Sequence, residues 1–467
     1  MQDFSFEALD RWEAAESAHQ AATAARAQAE DDWVDAVVRE QEANERASST
    51  ARPAPAQNST SEDERWQASL ARFGLRLTVD AAGERGLATA RAFGAGDELL
   101  RVAPTVAVLN EASRARRCHW SFAESERLLR CSACGYARYC SAAHQRDAWA
   151  QHKPECALLR ASRPRVPGPT MLLLARLLRV VAGGAGDAVA ADAAAAWARG
   201  GAAALSLRAQ LDGQPAARQQ AMREQAALLC ALVGRAEPQR PPPPPELAAE
   251  LLARFAVNNH TLCDEELQEV GIGLYPLAAL ANHDCAPSAV QTFDGGAVVF
   301  RALRPLAAGE SVTIAYIELA QPVAARRAEL RAQYLFECSC GRCAAEAAAP
   351  PAAAAAAAAD ADALVRGRAA TLAAIDGARW AAALDASAAC CECAARLYPP
   401  ASPALGLEWL RLAKLRAHCD ELAGAVDAWE RALRVLRVSH GEASALVRDA
   451  TTAMNGAKAE LAYGGAG

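Results

Sequence analysis

At 467 residues the chain is long enough to bury a large core and to hold two or three domains. With 49 Lys and Arg against 55 Asp and Glu its net charge is −6 and its pI about 5.9, which argues against a general nucleic-acid binder, because such proteins carry a basic footprint. Arginines interrupt the apolar run at Met171-Leu172-Leu173-Leu174, and no uncharged apolar stretch reaches the roughly 18 residues of a membrane span.

The first residues carry Asp3, Glu7, Asp10 and Glu13 and no apolar block, so no secretory signal peptide is expected. Residues 1 to about 46 mix Ala, Glu, Gln and Arg with Phe4, Phe6, Leu9, Trp12, Trp33, Val37 and Val38, a patchy stripe that suits one long solvated helix or a disordered extension. Ser48 to Asp63 is a linker by its Ser, Thr and Pro content and closes an extension taken as 1–65. Its Asn58-Ser59-Thr60 matches a glycosylation acceptor that a chain without a secretory signal would not use. From Trp66 the pattern changes. Leu75-Arg76-Leu77-Thr78-Val79 alternates, a Gly83-Glu84-Arg85-Gly86-Leu87 turn follows, and Ala88 to Phe93 and Glu98 to Val102 read as further strands, so 66–117 opens a β-rich domain.

The next stretch is dense in zinc-type ligands: Cys118-x2-Ser121, Cys131-x2-Cys134, Cys140-x3-His144 and His152-x3-Cys156, with Tyr139 before Cys140 and Trp149 before His152. Fifteen cysteines in a chain of this kind point to metal or free thiols rather than disulfides. The pattern over 118–156 resembles a MYND zinc finger. The resemblance implies alternate pairing, with Cys131, Cys134, His152 and Cys156 in one complete tetrahedral site. Cys118, Cys140 and His144 form the other, with Ser121 at the fourth position. A hard, neutral hydroxyl is a poor zinc ligand beside thiolates, which leaves His119 or a water to fill the gap. One firmly held zinc and one weak or absent zinc are therefore expected here. So small a finger has almost no core, and the intact zinc supplies most of its folding free energy. Eight basic against five acidic residues over 111–156 favour peptide binding, with a proline-rich peptide as candidate, or a structural role over DNA contact.

Residues 157–255 are expected to be helical, with apolar periodicity over Leu172 to Val181, Ala203 to Leu211 and Gln219 to Leu232. The run Pro241 to Pro245 is semi-rigid polyproline II and reads as a loop spacer. After Leu251 to Asn258 and an acidic stretch beginning at Cys263 come Gly271-Ile272-Gly273-Leu274-Tyr275-Pro276 and then Asn282-His283-Asp284-Cys285-Ala286-Pro287. A buried Asn-His pair is a poor choice for packing, because amide and imidazole each need hydrogen-bond partners; a specific polar ligand would supply them. Ala297 to Arg301 and Ser311 to Tyr316 read as strands, with Gly309-Glu310 as the turn before the second, which puts Tyr316 at a strand end facing a pocket.

Downstream, Tyr334-Leu335-Phe336-Glu337-Cys338-Ser339-Cys340-Gly341-Arg342-Cys343 is one thiolate short of a closed structural zinc site, and Cys285 is the obvious fourth. Such an ion would pin the Asn282-His283 segment against the chain carrying Tyr334 and Phe336. The order Asn-His-x-Cys, Gly-Glu with a tyrosine, then Cys-x-Cys-x2-Cys resembles the SET domain of protein lysine methyltransferases and its post-SET element. With the finger, the resemblance runs from about 68 to 461 and is to the SMYD family. It implies S-adenosylmethionine as methyl donor and a lysine of a histone or non-histone protein as acceptor. It also implies cofactor contacts at Glu84, Arg85, Gly86, Asn258, Asn282, His283, Tyr316 and Phe336, although the family's turn is matched clearly only at Gly86. By the same resemblance Tyr275, Tyr316, Tyr334 and Phe336 line a lysine channel, and Tyr316 is the catalytic residue, aligning rather than nucleophilic. A free lysine, with a pKa of ~10.4, is mostly protonated at neutral pH, and a narrow aromatic channel disfavours that charge.

Beyond about 355 the chain reads as helices over Ala361 to Leu397, Leu405 to His418, Asp420 to Val438 and Glu442 to Leu461, with pure alanine runs discounted. Paired helices of this length resemble tetratricopeptide-like stacking. Cys390-Cys391-x-Cys393 reads as buried small residues, since adjacent cysteines on a helix point about 100° apart. The expected fold is α+β: 66–117 the N-terminal part of the SET domain, 118–156 the finger, 157–255 a helical insert, 256–320 the SET core, 321–346 the post-SET element and 355–467 a helical C-terminal domain. A monomer in cytoplasm or nucleus is expected, with two firmly held zinc ions and a third weak or absent. The alternative is an adaptor whose finger and helical tail bind protein partners while the SET fold has lost activity.

Overall fold

The computed structural model describes residues 62–183 and 199–464. The expected helix over 1–46 and the linker with its Asn58-Ser59-Thr60 lie outside the described residues, except that helix Glu62–Ala71 already begins at the linker's last two positions. Glu62, Asp63 and Glu64 crowd its first turn, where negative charge complements the helix dipole. The described chain forms two compact units: 62–69 with Ala103–Leu262 and Glu269–Ala279, and Leu70–Val102 with Cys263–Gln268 and Leu280–Gly467. Small, mostly antiparallel sheets and long helices make the fold α+β.

In the first unit, Val106–Leu109, Glu269–Leu274 and Asn259–Cys263 form a three-stranded sheet with Glu269–Leu274 in the middle. Its Gly-x-Gly answers to close packing. A Cβ on Gly271 would stand 2.2 Å from the Val108 carbonyl oxygen, and one on Gly273 would stand 2.8 Å from the Tyr275 ring. Helix Pro169–Ala182 buries Leu172, Leu173, Leu174, Leu177 and Leu178. The helix expected over Ala203 to Leu211 stops at Ser206, because Leu207 is extended and buried. Pro241 to Pro244 lead into helix Pro245–Asn258, with proline at the first turn where its missing N–H removes no intrahelical bond. Within 118–156, the ribbon Leu129–Arg130 with Arg138–Tyr139 and the helices Ala142–Asp147 and Trp149–Ala161 carry the ligand residues.

In the second unit, a four-stranded sheet runs Leu75–Val79, Arg85–Thr89, Ser311–Ile314, Asn282–His283, antiparallel except for the last pair, which is parallel. Ala289–Asp294, Ala297–Ala302 and Glu98–Val102 form an antiparallel sheet. Helix Val323–Tyr334 ends at Leu335 in the left-handed conformation, which turns the chain into the cysteine loop, and Cys340 then caps helix Gly341–Ala347. Helices Pro351–Asp376, Trp380–Leu397, Pro403–His418, Leu422–Ser439 and Ala445–Gly464 pack one on the next.

Three departures from expectation occur there. The strand expected over Ala88 to Phe93 is Arg85–Thr89, so Arg85, Gly86 and Leu87, expected in the turn, already pair with Val79, Thr78 and Leu77. The alanine run after Pro351 is helical, since alanine has the highest intrinsic propensity and Pro350-Pro351 starts the helix. The single helix expected over Ala361 to Leu397 is two, broken at Gly377-Ala378-Arg379 with Ala378 at φ 51°. Cys390, Cys391 and Cys393 are buried on the second of these.

Candidate active site and metal centres

The two-residue strand Asn282–His283 pairs in parallel with Thr313 and Ile314, which brings Tyr316, just past the strand end, back over residues 281–283. Its backbone N–H donates to His283 Nδ1 at 3.0 Å, and its hydroxyl donates to the Ala281 carbonyl at 2.6 Å. The Tyr334 hydroxyl donates to the Tyr316 carbonyl at 3.4 Å, and the two rings lie 4.8 Å apart. The His283 ring stands 5.4 Å from that of Tyr316 and 6.1 Å from that of Phe336. Four of the expected residues thus form one aromatic cluster. Burial raises the Tyr316 phenol above its ordinary range, with Tyr334 adding to it, so the hydroxyl stays protonated.

Asn282 is exposed and His283 half-buried, which departs from the buried pair that was expected. The Asn282 amide donates to the Arg85 carbonyl at 3.1 Å. Gly86 makes the approach possible: a Cβ there would stand 3.0 Å from Asn282 Nδ2 and 2.9 Å from Thr78 Oγ1. Arg85 and Gly86 therefore come to Asn282 directly. Glu84 is tied elsewhere, its N–H donating to Asp80 Oδ1 at 2.9 Å and its carbonyl accepting from the Asp80 N–H at 3.0 Å.

Asn258 and Tyr275 belong to the other unit. The Asn258 amide donates to the carbonyls of Arg208 at 3.0 Å and Arg254 at 2.7 Å, which closes the end of its helix. Tyr275 is fully buried, edge-on to His260 at 5.6 Å.

The ligand atoms of Cys285, Cys338, Cys340 and Cys343 lie within 4.8 Å of one another, with Cys285 and Cys343 sulfurs 3.5 Å apart. Four sulfurs so close are a donor set suited to a soft, tetrahedral ion such as zinc. Two cationic or N–H groups face them. Arg326, 1% exposed, donates to Cys343 Sγ at 3.6 Å and to Glu346 at 2.7 Å. Burial would push the Cys343 thiol up, but Arg326 and the neighbouring thiols bring it below its usual value. His283 Nδ1 accepts the Tyr316 N–H, so in the neutral ring Nε2 carries the proton, facing Cys285 Sγ at 3.2 Å. Burial lowers the His283 pKa to about 4, which keeps it neutral. Neither role was legible from spacing: nothing marks Arg326 among the chain's arginines, and the resemblance implied only a cofactor contact for His283.

In the finger, the ligand atoms of Cys131, Cys134, His152 and Cys156 are grouped within 4.8 Å, and all four residues are buried. Behind them His152 Nδ1 meets Glu155 Oε2 at 3.0 Å, and Arg176 meets Glu155 at 2.8 Å and also donates to the Ala107 carbonyl. Burial disfavours the Glu155 charge, yet Arg176 and His152 hold its pKa at about 2. This outer shell, which orients the imidazole, was also missed, though the i,i+3 spacing of His152 and Glu155 on one helix is a signal that would have found it. Cys118, Cys140 and His144 form the other group, with His144 Nδ1 2.9 Å from Cys140 Sγ and 3.5 Å from Cys118 Sγ. His119 does not join them: its Nδ1 accepts the Arg138 N–H at 3.1 Å, and its ring packs on Tyr136 and Tyr139.

A MYND finger family profile matches residues 118–156. The histone-lysine N-methyltransferase SMYD3 of Homo sapiens is 33% identical over 250 residues, 53% of this chain and 56% of that one. The histone-lysine N-methyltransferase ASHR1 of Arabidopsis thaliana is 33% identical over 270 residues, 56% of this chain and 52% of that one. The chain spans about half the length of the curated relatives it matches. The solved SET domain of LSMT bound to lysine and AdoHcy matches at 12% identity and TM-score 0.33, over 85% of this chain and 92% of that one.

Proposed function

Since this chain belongs to the SMYD family of SET and MYND proteins, we propose that it is a zinc-containing, S-adenosylmethionine-dependent protein-lysine N-methyltransferase acting on a histone or another protein. The observation that supports this best is the joining of an exposed Asn282, cradled at Gly86, to an aromatic cluster of Tyr316, Tyr334 and Phe336 backed by four thiols. Bound S-adenosylmethionine supplies a sulfonium methyl group. Asn282, the His283 backbone, Arg85, Gly86 and Phe336 hold that cofactor.

Tyr316, Tyr334 and Phe336 exclude water from the incoming lysine and disfavour its protonated form. Tyr316 aligns. Its hydroxyl gives its hydrogen to Ala281, which leaves the oxygen lone pairs free for weak CH···O contacts with a methyl group. In-line displacement benefits mainly from such alignment. Two firmly held zinc ions, in the four-cysteine site and at Cys131, Cys134, His152 and Cys156, keep the framework. The protein works as a monomer in cytoplasm or nucleus, with the finger taking a proline-rich peptide.

The adaptor reading draws on Glu84, whose backbone groups both bond Asp80. Calorimetric titration with S-adenosylmethionine separates the two. Binding by wild type that is lost in Asn282→Ala, with tritiated methyl transferred to protein lysine, is expected; a wild-type protein that binds no S-adenosylmethionine is an adaptor.

A further inference from the structure

Arg342 sits in the first turn of helix Gly341–Ala347, where a cation opposes the helix dipole. Its side chain is 17% exposed and leaves its own helix for two other stretches of chain. Nη1 donates to the Cys285 carbonyl at 3.2 Å, Nη2 donates to the Leu397 carbonyl at 2.8 Å, and Nε donates to Glu346 at 2.6 Å. One planar guanidinium thus joins the Cys285 segment and the cysteine loop to the last residue of helix Trp380–Leu397.

That helix end calls for a donor from elsewhere. Pro399 and Pro400 follow Tyr398, so the chain beyond the helix lacks two of the N–H groups that could bond its last carbonyls, and a cation at this end is favoured by the dipole. The end is also firmly held. Tyr398 is buried and its hydroxyl accepts from Arg368 at 3.0 Å; Arg368 donates to Glu408 at 2.7 Å, and buried Glu408 accepts from Arg411 at 2.7 Å as well. Leu397 and Tyr398 share one apolar core with Ile317 and Cys343, and Tyr316, Tyr334 and Phe336 pack against it.

We propose that Arg342 is a positioning residue for methyl transfer: it locks the cysteine loop, and with it Tyr334 and Phe336, to the end of helix Trp380–Leu397, so that the C-terminal helices set where those two rings stand relative to Tyr316. Arg342 touches neither reactant and acts through the loop that carries the rings. A shift of about 1 Å at a distance from the chemistry costs on the order of 100-fold in rate. The kinetic role rests on the methyltransferase reading, whereas the lock itself does not.

Two variants of the full, zinc-saturated chain test it. Arg342→Met keeps the aliphatic stem and removes the fork, while Arg342→Lys keeps the charge as a single point donor that cannot bridge both carbonyls. With S-adenosylmethionine and core histones, Arg342→Met is expected to lower kcat at least about tenfold while KM for the histone and the zinc count by native mass spectrometry stay at wild-type values. Arg342→Lys should recover part of that loss. Amide hydrogen exchange reads the lock without turnover: residues 281–287, 334–343 and 394–398 should lose protection together in Arg342→Met. Exchange identical to wild type, or zinc lost along with kcat, overturns the proposal, the first because nothing was locked and the second because Arg342 then serves only the metal. A wild type that methylates no histone counts against the histone reading, and exchange alone then decides whether the lock exists.

Discussion

His283 Nε2 stands 3.2 Å from Cys285 Sγ, and the opposite nitrogen of the same ring takes the Tyr316 N–H at 3.0 Å. One imidazole therefore ties a candidate metal ligand to the backbone of the candidate catalytic tyrosine. His283→Ala removes both bonds at once. It is expected to weaken zinc at the four-cysteine site by about 10–100-fold, the usual effect of losing an outer-shell partner, and to reduce methyl transfer in the same variant. Zinc retention under chelator measured beside activity checks this, and an unchanged retention would sever the link.

Cys338→Ser leaves three thiolates where a closed site needs four. One zinc per chain and methyl transfer should disappear together, because the segment bearing Tyr334 and Phe336 is no longer anchored beside Tyr316. Native mass spectrometry and the tritiated-methyl assay measure the two losses. Activity surviving without the zinc would mean that this segment packs on its own contacts.

The grouping of the cysteines was legible because ligand spacing is a local code: Cys-x2-Cys, His-x3-Cys and Cys-x-Cys-x2-Cys each put ligands on one turn, and the count of four then pairs one such turn with another or, for the last, with Cys285. The groups behind them were not legible. Arg326 reaches Cys343 from the preceding helix and Arg176 reaches Glu155 from 21 residues further along, and neither distance leaves a mark on composition or periodicity. The exposure of Asn282 was misjudged for a related reason, since the amide's partner is a carbonyl on a strand nearly two hundred residues earlier. Alanine misled in the opposite direction. A run with no apolar pattern says nothing about packing, yet it still propagates a helix once Pro350-Pro351 has begun it.

Gly86→Ala tests the cradle. The added methyl would press on Thr78 Oγ1 as well as on the Asn282 amide; both are side-chain ends that can turn away, so the fold should survive with some loss of stability while S-adenosylmethionine binding weakens. Calorimetry reads the binding, and a retained cooperative melting transition shows that the loss is local. Wild-type affinity in this variant would remove Gly86 from the cofactor site.

Glu155→Gln removes the charge that answers Arg176, leaving a guanidinium 8% exposed without its counter-ion. Breaking a buried pair from one side costs about 3–5 kcal/mol. The amide also holds the His152 imidazole less firmly, so the zinc at Cys131, Cys134, His152 and Cys156 should come off faster. Urea unfolding and zinc release read these effects separately. A double change with Arg176→Met should recover part of the stability and none of the zinc retention, because the imidazole still lacks its carboxylate.

His440 follows the last residue of helix Leu422–Ser439 in the second unit. Its Nε2–H donates to the Glu265 carbonyl at 3.0 Å, and its Nδ1 faces Ser439 Oγ at 2.9 Å. The Glu265 carboxylate in turn accepts the N–H groups of Ala445 at 3.2 Å and Leu446 at 2.8 Å. Burial lowers the His440 pKa below the ordinary 6.5, and Arg301 adds to this, against the opposing pull of Glu265. The unfolded chain therefore takes up the proton first. Stability from this group is complete above about pH 6.5 and declines as pH falls below it, down to the depressed folded value. His440→Gln keeps a donor for the Glu265 carbonyl and has nothing to titrate. The variant's melting temperature should fall less than that of wild type between pH 7.5 and 5.5, and parallel curves would show that His440 carries none of the pH dependence.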